Sequence, residues 1–199
     1  MTAKNSELRY GSVAMTLHWL IALLIFGNIA SGFVIANVLD DNDPLQATLL
    51  QLHKPAGLTI LTLTAILLGW RMINPIPPLP VGMTLPMRLL ARGTHYLLYF
   101  LMLAIPLAGW ALVSVSRSGG STSYFGLFQW PTIPLFANLS HLDRSADHAL
   151  FGTLHQWMAY GAFTLIGLHI AAALYHHFLR RDDVLKRMLP GTTVRNPPA

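Results

Sequence analysis

Residues 148–181 form one mostly apolar stretch, HALFGTLHQWMAYGAFTLIGLHIAAALYHHFLRR, which is long enough to cross a bilayer as a helix. A spanning helix needs about 20 residues. His155 and His169 are fourteen residues apart, which is roughly 21 Å along a helix and about 40° short of four full turns. Both imidazoles therefore project toward nearly the same side at two depths, with Ala162 midway between them. This arrangement favours two flat cofactors stacked along one helix bundle.

A single histidine near the end of a membrane span often only places its amphipathic ring in the interface. Ionisable groups deeper in a membrane are rare and are usually functional. This helix carries two such groups on one face, and other apolar stretches supply histidines at both depths. The sequence therefore predicts cofactor sites that are built from pairs of histidines.

The composition is that of an integral membrane protein. Of the 199 residues, 53% are hydrophobic and 11% are charged, whereas a soluble domain has about 25% charged residues. The chain contains no cysteine, which excludes disulfides, iron–sulfur clusters, thiolate-ligated haem and covalently attached haem. We expect one membrane domain over residues 1–199.

Four apolar stretches predict an all-α bundle of four transmembrane helices, at residues 14–38, 49–73, 89–115 and 148–179. Between the second and third spans lies NPIPPLPVGMTLP, whose prolines exclude it from a helix interior. The connection 116–147 is the longest and contains SYFGLFQWPTIPLF, whose aromatic residues are typical of the headgroup layer. Residues 1–9 are polar, and we expect them to be loosely held.

Lysine and arginine are distributed unequally between the two ends of this bundle. The end formed by the N-terminus, the proline-rich connection and the C-terminal tail carries ten, namely Lys4, Arg9, Arg71, Arg88, Arg92, Arg180, Arg181, Lys186, Arg187 and Arg195. The other end carries Lys54, Arg117 and Arg144. The positive-inside rule therefore places both termini in the cytoplasm. We interpret the charges of the C-terminal tail as a topology signal rather than as a nucleic-acid or lipid site.

The same topology sorts the central histidines by depth. His18 lies near the inner end of the first span, and His53 lies at the outer end of the second. In the fourth span, which enters from outside, His155 is outer and His169 is inner. This predicts an inner pair, His18 with His169, and an outer pair, His53 with His155. Each pair could ligate a haem iron axially as neutral imidazoles.

Three further residues are candidates for the surroundings of these cofactors. Arg71 follows His53 by eighteen residues, which is five full turns, so it could pair with an inner haem propionate. Lys54 could do the same outside, although either cation could equally be a snorkelling topology charge. His95 is in the inner layer, either as a second-shell or substrate-site group or as an interfacial side chain. We expect the remaining histidines to be surface groups, namely His141, His148, His176 and His177.

Several motifs taken in order resemble the bacterial cytochrome b561 family, and most closely its branch of cytochrome b561 homologues. They are RYG-x-x-x-x-T-x-HW, LHKPAG, the proline-rich connection, MRLLARGTHYLLY, SYFGLFQWP, LHQWMAY…GLHIAAALYHHF and DDVLKRMLP, and together they cover about residues 9–190. The resemblance implies four transmembrane helices in the bacterial inner membrane and two non-covalent b-type haems. Carried over by motif, the four haem ligands fall on His18, His53, His155 and His169.

The resemblance also implies electron transfer to or from the ubiquinone pool as part of a respiratory chain. One member type is a superoxide:ubiquinone oxidoreductase, and a related group forms the cytochrome subunit of nickel–iron hydrogenases. The alternatives are therefore a di-haem cytochrome with quinone as its substrate or a membrane anchor for a partner redox protein. A haem-less histidine-lined metal transporter is a remote alternative, because no intramembrane carboxylate and no broken inverted repeat accompany the histidines. The chain has no nicotinamide, flavin or phosphate motif of its own, and we expect no nucleic-acid partner.

Overall fold

The computed structural model describes residues 2–40, 42–80, 82–116, 121–138 and 140–194, and for His141 the backbone alone. Asp41, Arg117 and Arg195 lie outside the described residues. Four long helices dominate the described chain: α1 (Ser12–Asn37), α2 (Pro44–Ile73), α3 (Leu85–Ser114) and α4 (His141–Tyr175). Each of the four is long and apolar enough to cross a membrane, which confirms the four predicted spans.

All four long helices begin earlier than the apolar pattern predicts, α1 by two residues and the others by four to seven. Helix α2 begins at Pro44, where proline suits the first turn because its missing N–H would have no partner there. Helix α4 begins at His141, directly after Ser140. The Ser140 hydroxyl accepts the backbone N–H of Asp143 at 3.2 Å and so caps the helix. A pattern of apolar residues does not include such polar first turns, so it places the start of a long helix too late.

The described chain divides into two compact units. One unit contains Met1–Ile21, Leu63–Phe100 and Ala162–Ala199, and the other contains Ala22–Thr62 and Leu101–Gly161. All four long helices contribute residues to both units. The single domain expected from the sequence therefore stays a prediction.

The connection between α3 and α4 contains a short antiparallel hairpin that the sequence did not predict. Strands β1 (Thr122–Tyr124) and β2 (Phe128–Trp130) pair so that Tyr124 is opposite Phe128. Phe125 and Gly126 form the turn with φ values of 50° and 78°. A 3₁₀ turn follows at Pro134–Phe136.

The N-terminal segment is held by hydrogen bonds, so the expectation that residues 1–9 are loose is wrong for its described part. Asn5 is buried, donates to the Pro75 carbonyl at 2.9 Å and accepts the Gly11 N–H at 2.8 Å. Arg9 donates to the carbonyls of Leu189 at 3.1 Å and Thr192 at 2.9 Å. These polar side chains bind backbone N–H and carbonyl groups, and an apolar pattern cannot reveal such contacts.

Candidate functional site

The structure brings His53 and His155 together. Their ring centres are 6.0 Å apart with an interplanar angle of 75°. The Nδ1 atom of His155 is 2.9 Å from the Ile105 carbonyl oxygen, which can only accept, so this nitrogen carries the proton. The Nε2 atom of His155 is then an unprotonated lone pair, which is the form that binds a metal ion.

A serine fixes the same tautomer in His53. The Ser31 hydroxyl donates its hydrogen to the Asn28 carbonyl at 3.0 Å and lies 3.1 Å from Nδ1 of His53. Because the hydroxyl hydrogen is already used, Nδ1 of His53 is the donor and its Nε2 atom is free to bind a metal. Sequence reasoning missed Ser31, although it lies three residues from a polar Asn28 inside an apolar span.

Two glycines make room for these two rings. A Cβ atom on Gly32 would lie 3.0 Å from Cε1 of His53. A Cβ atom on Gly109 would lie 3.1 Å from Cε1 and 3.2 Å from Nδ1 of His155. Real Cβ atoms rarely approach another heavy atom so closely, so each ring occupies the space that only a glycine leaves open.

A second cluster contains three imidazoles. The ring centres of His18 and His169 are 6.4 Å apart at an interplanar angle of 60°. His95 lies 5.5 Å from His169 and is stacked on Tyr99 with ring centres 6.3 Å apart and an interplanar angle of 11°. The predicted His18–His169 pair is therefore present, and His95 belongs to the same cluster.

Arg71 completes this second cluster. Its guanidinium donates to the Tyr99 hydroxyl and lies 5.0 Å from the Tyr99 ring centre and 5.6 Å from that of Tyr10. Among the described residues, Arg71 forms no ion pair with a carboxylate, and its Nε atom is buried without a hydrogen-bond partner. Lys54, by contrast, is exposed on α2. The cluster thus contains a half-buried cation whose charge no described carboxylate neutralises.

The structure corrects the expectation for His176, which the sequence predicted to be a surface group. His176 is 8% exposed, and its Nδ1 atom lies 2.5 Å from a carboxylate oxygen of Asp182. A π-helical turn at His176–Arg180 follows α4, and Arg181 then adopts a φ of 53°. This reversal returns Asp182 to His176, which fixed helical periodicity could not predict. His148 is exposed as expected.

Both histidine pairs fit a haem. A metal ion held by two imidazole nitrogens at about 2 Å each separates the ring centres by roughly 6 Å, which agrees with the 6.0 Å and 6.4 Å observed. Bis-histidine ligation needs only two protein ligands for each iron. The described residues contain no group of three or more His, Cys, Asp or Glu side chains suited to an all-protein metal site.

Comparison with known proteins supports the same cofactor class. The family of prokaryotic cytochrome b561 matches residues 9–191. Cytochrome b561 homolog 2 of Escherichia coli K12 is 37% identical over 190 residues, which is 95% of each chain. The probable superoxide oxidase CybB of Yersinia pestis is 31% identical over 92% of this chain and 96% of its own. Cytochrome b562 of Cereibacter sphaeroides is 28% identical over 93% of this chain and 98% of its own.

These matches cover all four long helices and both histidine clusters. They indicate a multi-pass protein of the bacterial inner membrane that transfers electrons, and the family implies a b-type haem as its cofactor. The cytochrome family also argues against the haem-less transporter. The chain belongs to the prokaryotic cytochrome b561 family.

Proposed function

We propose that the chain is a di-haem b-type cytochrome that exchanges electrons with the quinone pool. The observation that carries the proposal is the presence of two separate histidine pairs, each with ring centres about 6 Å apart as bis-histidine ligation requires. His53 and His155 would hold one haem and His18 and His169 the other. When bound, each haem supplies reversible one-electron transfer.

His95 is assigned to the substrate side of its cluster rather than to an iron. Its distance to His169 alone would also allow it to replace His18. However, His95 is stacked on Tyr99, which is the hydrogen-bond partner of Arg71. His95, Tyr99 and Arg71 therefore form one polar group.

This group suits the head group of a quinone. Reduction of a quinone to a quinol takes up two electrons and two protons, so negative charge develops on its oxygens. Hydrogen-bond donors and a cation in a poorly solvated site stabilise such charge. The Arg71 guanidinium can neutralise a reduced quinone oxygen or a haem propionate, because both are anionic acceptors. His95 and Tyr99 can donate hydrogen bonds to the quinone oxygens.

The haem content of the purified protein tests the proposal. A pyridine haemochrome measurement against protein mass should give two haems per chain, and the reduced protein should show the visible bands of bis-histidine haem b. A ratio near one would leave one histidine pair without a cofactor. Absence of haem bands would remove the proposal altogether.

Superoxide is a second candidate electron donor, because a relative that is 31% identical is named a probable superoxide oxidase. The balanced reaction would convert two superoxide anions, one quinone and two protons into two dioxygen molecules and one quinol. Charge at the end that carries Lys54 opposes this reading. The sequence places Lys54, Arg117 and Arg144 there, against Asp40, Asp41, Asp43, Asp143 and Asp147. Three cations minus five anions give about −2, which repels an anion.

The rate of haem reduction, measured by stopped flow at several ionic strengths, distinguishes superoxide from quinol as the electron donor. We expect slow, salt-insensitive reduction by superoxide beside rapid reduction by quinol or a partner redox protein. A partner protein would indicate the alternative role as a membrane-anchoring cytochrome subunit of a dehydrogenase or hydrogenase. A superoxide rate near the diffusion limit that falls steeply with salt would instead establish superoxide as the donor and a local positive entrance.

A further inference from the structure

Near the end of the described chain, residues 186–192 fold into a compact turn, which we call the C-terminal loop. It begins with a 3₁₀ turn at Lys186–Met188. At its other end, the Thr192 hydroxyl can donate to the Lys186 carbonyl at 2.7 Å or to the Leu189 carbonyl at 2.9 Å. Gly191, just before Thr192, has a φ of 76°, which glycine adopts readily. The loop is therefore closed by its own hydrogen bonds.

Trp19 joins the C-terminal loop to His18. The indole N–H of Trp19 donates to the Met188 carbonyl at 2.7 Å. Trp19 directly follows His18 in α1, and the two ring centres are 5.3 Å apart at an interplanar angle of 84°. A tryptophan near the end of a membrane helix often only places its ring in the interface. Here its N–H binds a residue 169 positions further along the chain, so the contact is specific.

Tyr10 joins the same loop to Arg71. The backbone N–H of Tyr10 donates to the Arg187 carbonyl at 3.4 Å, and the neighbouring Arg9 donates to two further carbonyls of the loop. The Arg71 guanidinium lies 5.6 Å from the centre of the Tyr10 ring, which is within the range of a cation–π interaction. The loop therefore also contacts the cluster on the side of its cation.

The cluster itself joins these two sides. From Arg71, contacts continue through the Tyr99 hydroxyl and the stacked His95 ring, and then through His169 to His18. Because Arg187 and Met188 are adjacent in the loop, the contacts form a closed circuit. Its members, all in one compact unit, are Met188, Trp19, His18, His169, His95, Tyr99, Arg71, Tyr10 and Arg187. A displacement of the loop therefore acts on both sides of the cluster.

We propose that the C-terminal loop is a positioning element for the haem that His18 and His169 would hold, and that Trp19 transmits the position of the loop to His18. This inference rests on the proposed di-haem function. Ferric haem carries one more positive charge than ferrous haem, so water near the site favours the oxidised form. By holding Trp19 against His18, the loop keeps water from this side of the site and raises the reduction potential of this haem.

Two variants test the proposal from opposite ends of the link. Trp19→Phe keeps an aromatic ring beside His18 and removes only the N–H that binds Met188. Thr192→Val removes the hydroxyl that closes the loop. Trp157→Phe is the matched control, because Trp157 is exposed and lies two residues after His155 in the other compact unit.

Redox titration of the visible bands, with the haem-loaded full chain in lipid nanodiscs, measures the potential of each haem. The haem in question is the one that His18→Ala removes. We expect its equilibrium constant for reduction to fall about threefold in Trp19→Phe and in Thr192→Val, which is roughly 30 mV for a one-electron couple. The other haem should keep its potential and serves as an internal control. Trp157→Phe should leave the potential of the first haem unchanged.

The double variant Trp19→Phe/Thr192→Val tests whether both substitutions break the same link. Its shift should not exceed the larger single shift, whereas independent effects would add. Hydrogen exchange of residues 186–189, followed by mass spectrometry, should become faster in Thr192→Val. An unchanged potential in either single variant would overturn the proposal, whatever the exchange rate, and so would additive shifts or equal shifts of both haems. Fewer than two haems in the unsubstituted chain would instead contradict the proposed function.

Discussion

Gly109 lies against the ring of His155, so that a Cβ atom at position 109 would be 3.1 Å from Cε1. His155 in turn donates Nδ1–H to the Ile105 carbonyl of the same helix, α3. The glycine therefore leaves the room that the imidazole occupies, and the carbonyl fixes its tautomer.

Gly109→Ala should weaken the binding of the haem that His53 and His155 would hold. Overpacking costs about 1–3 kcal/mol, so we expect the affinity for this haem to fall roughly tenfold while the other haem is retained. Haem titration of the apoprotein, followed in the visible spectrum, measures this. Gly27→Ala is the matched control, because a Cβ atom there meets nothing within 4 Å. Equal haem affinity in both variants would contradict the clearance argument.

Removal of single histidines should empty the two sites independently. His53→Ala or His155→Ala should abolish one haem and spare the other, whereas His18→Ala or His169→Ala should do the reverse. Redox titration of the visible bands separates the two haems. His95→Ala should keep both haems, with a shifted potential at most. If His95→Ala empties a site and His18→Ala does not, the pairing with His169 has to be reassigned.

Arg71→Gln should impair the reaction with quinol more than it impairs haem binding. Loss of a charged hydrogen-bond partner costs about 1.5–3 kcal/mol, so kcat/KM for quinol oxidation should fall roughly ten- to hundredfold. Tyr99→Phe removes the hydroxyl that Arg71 contacts and should act in the same direction. Arg88→Gln, an exposed cation on α3, controls for net charge. Loss of one haem in Arg71→Gln with normal quinol kinetics would show that Arg71 serves a propionate instead.

His176→Gln should destabilise the protein without changing its haem spectrum. The buried ring would lose its bond to Asp182, at a cost of about 1–3 kcal/mol. Thermal unfolding in detergent should therefore occur several degrees lower, and Asp182→Asn should show a similar shift. His148→Gln, at an exposed position of α4, should unfold as the unsubstituted chain does. A changed haem spectrum in His176→Gln would mean that this ring acts on a cofactor.

The sequence predicted the features that depend on long regular patterns. Helical periodicity and the charge distribution sorted His18, His53, His155 and His169 into the two pairs that the structure brings together. The sequence could not predict contacts made where periodicity fails. The π-helical turn that returns Asp182 to His176 and the hairpin that carries Tyr124 to Thr59 both depend on local backbone reversals. Ser31 was missed because its role depends on where its hydroxyl hydrogen is donated. In the structure the acceptor is the Asn28 carbonyl, which the sequence does not reveal.

Helix α4 supplies one histidine to each pair, and it is the last of the four helices along the chain. During synthesis the first three helices enter the membrane before either pair is complete. If the two pairs hold haem as proposed, neither site offers both of its imidazoles until α4 has been inserted. Cofactor acquisition is thereby tied to the end of membrane insertion, and a chain that stops before α4 would remain free of bis-histidine haem.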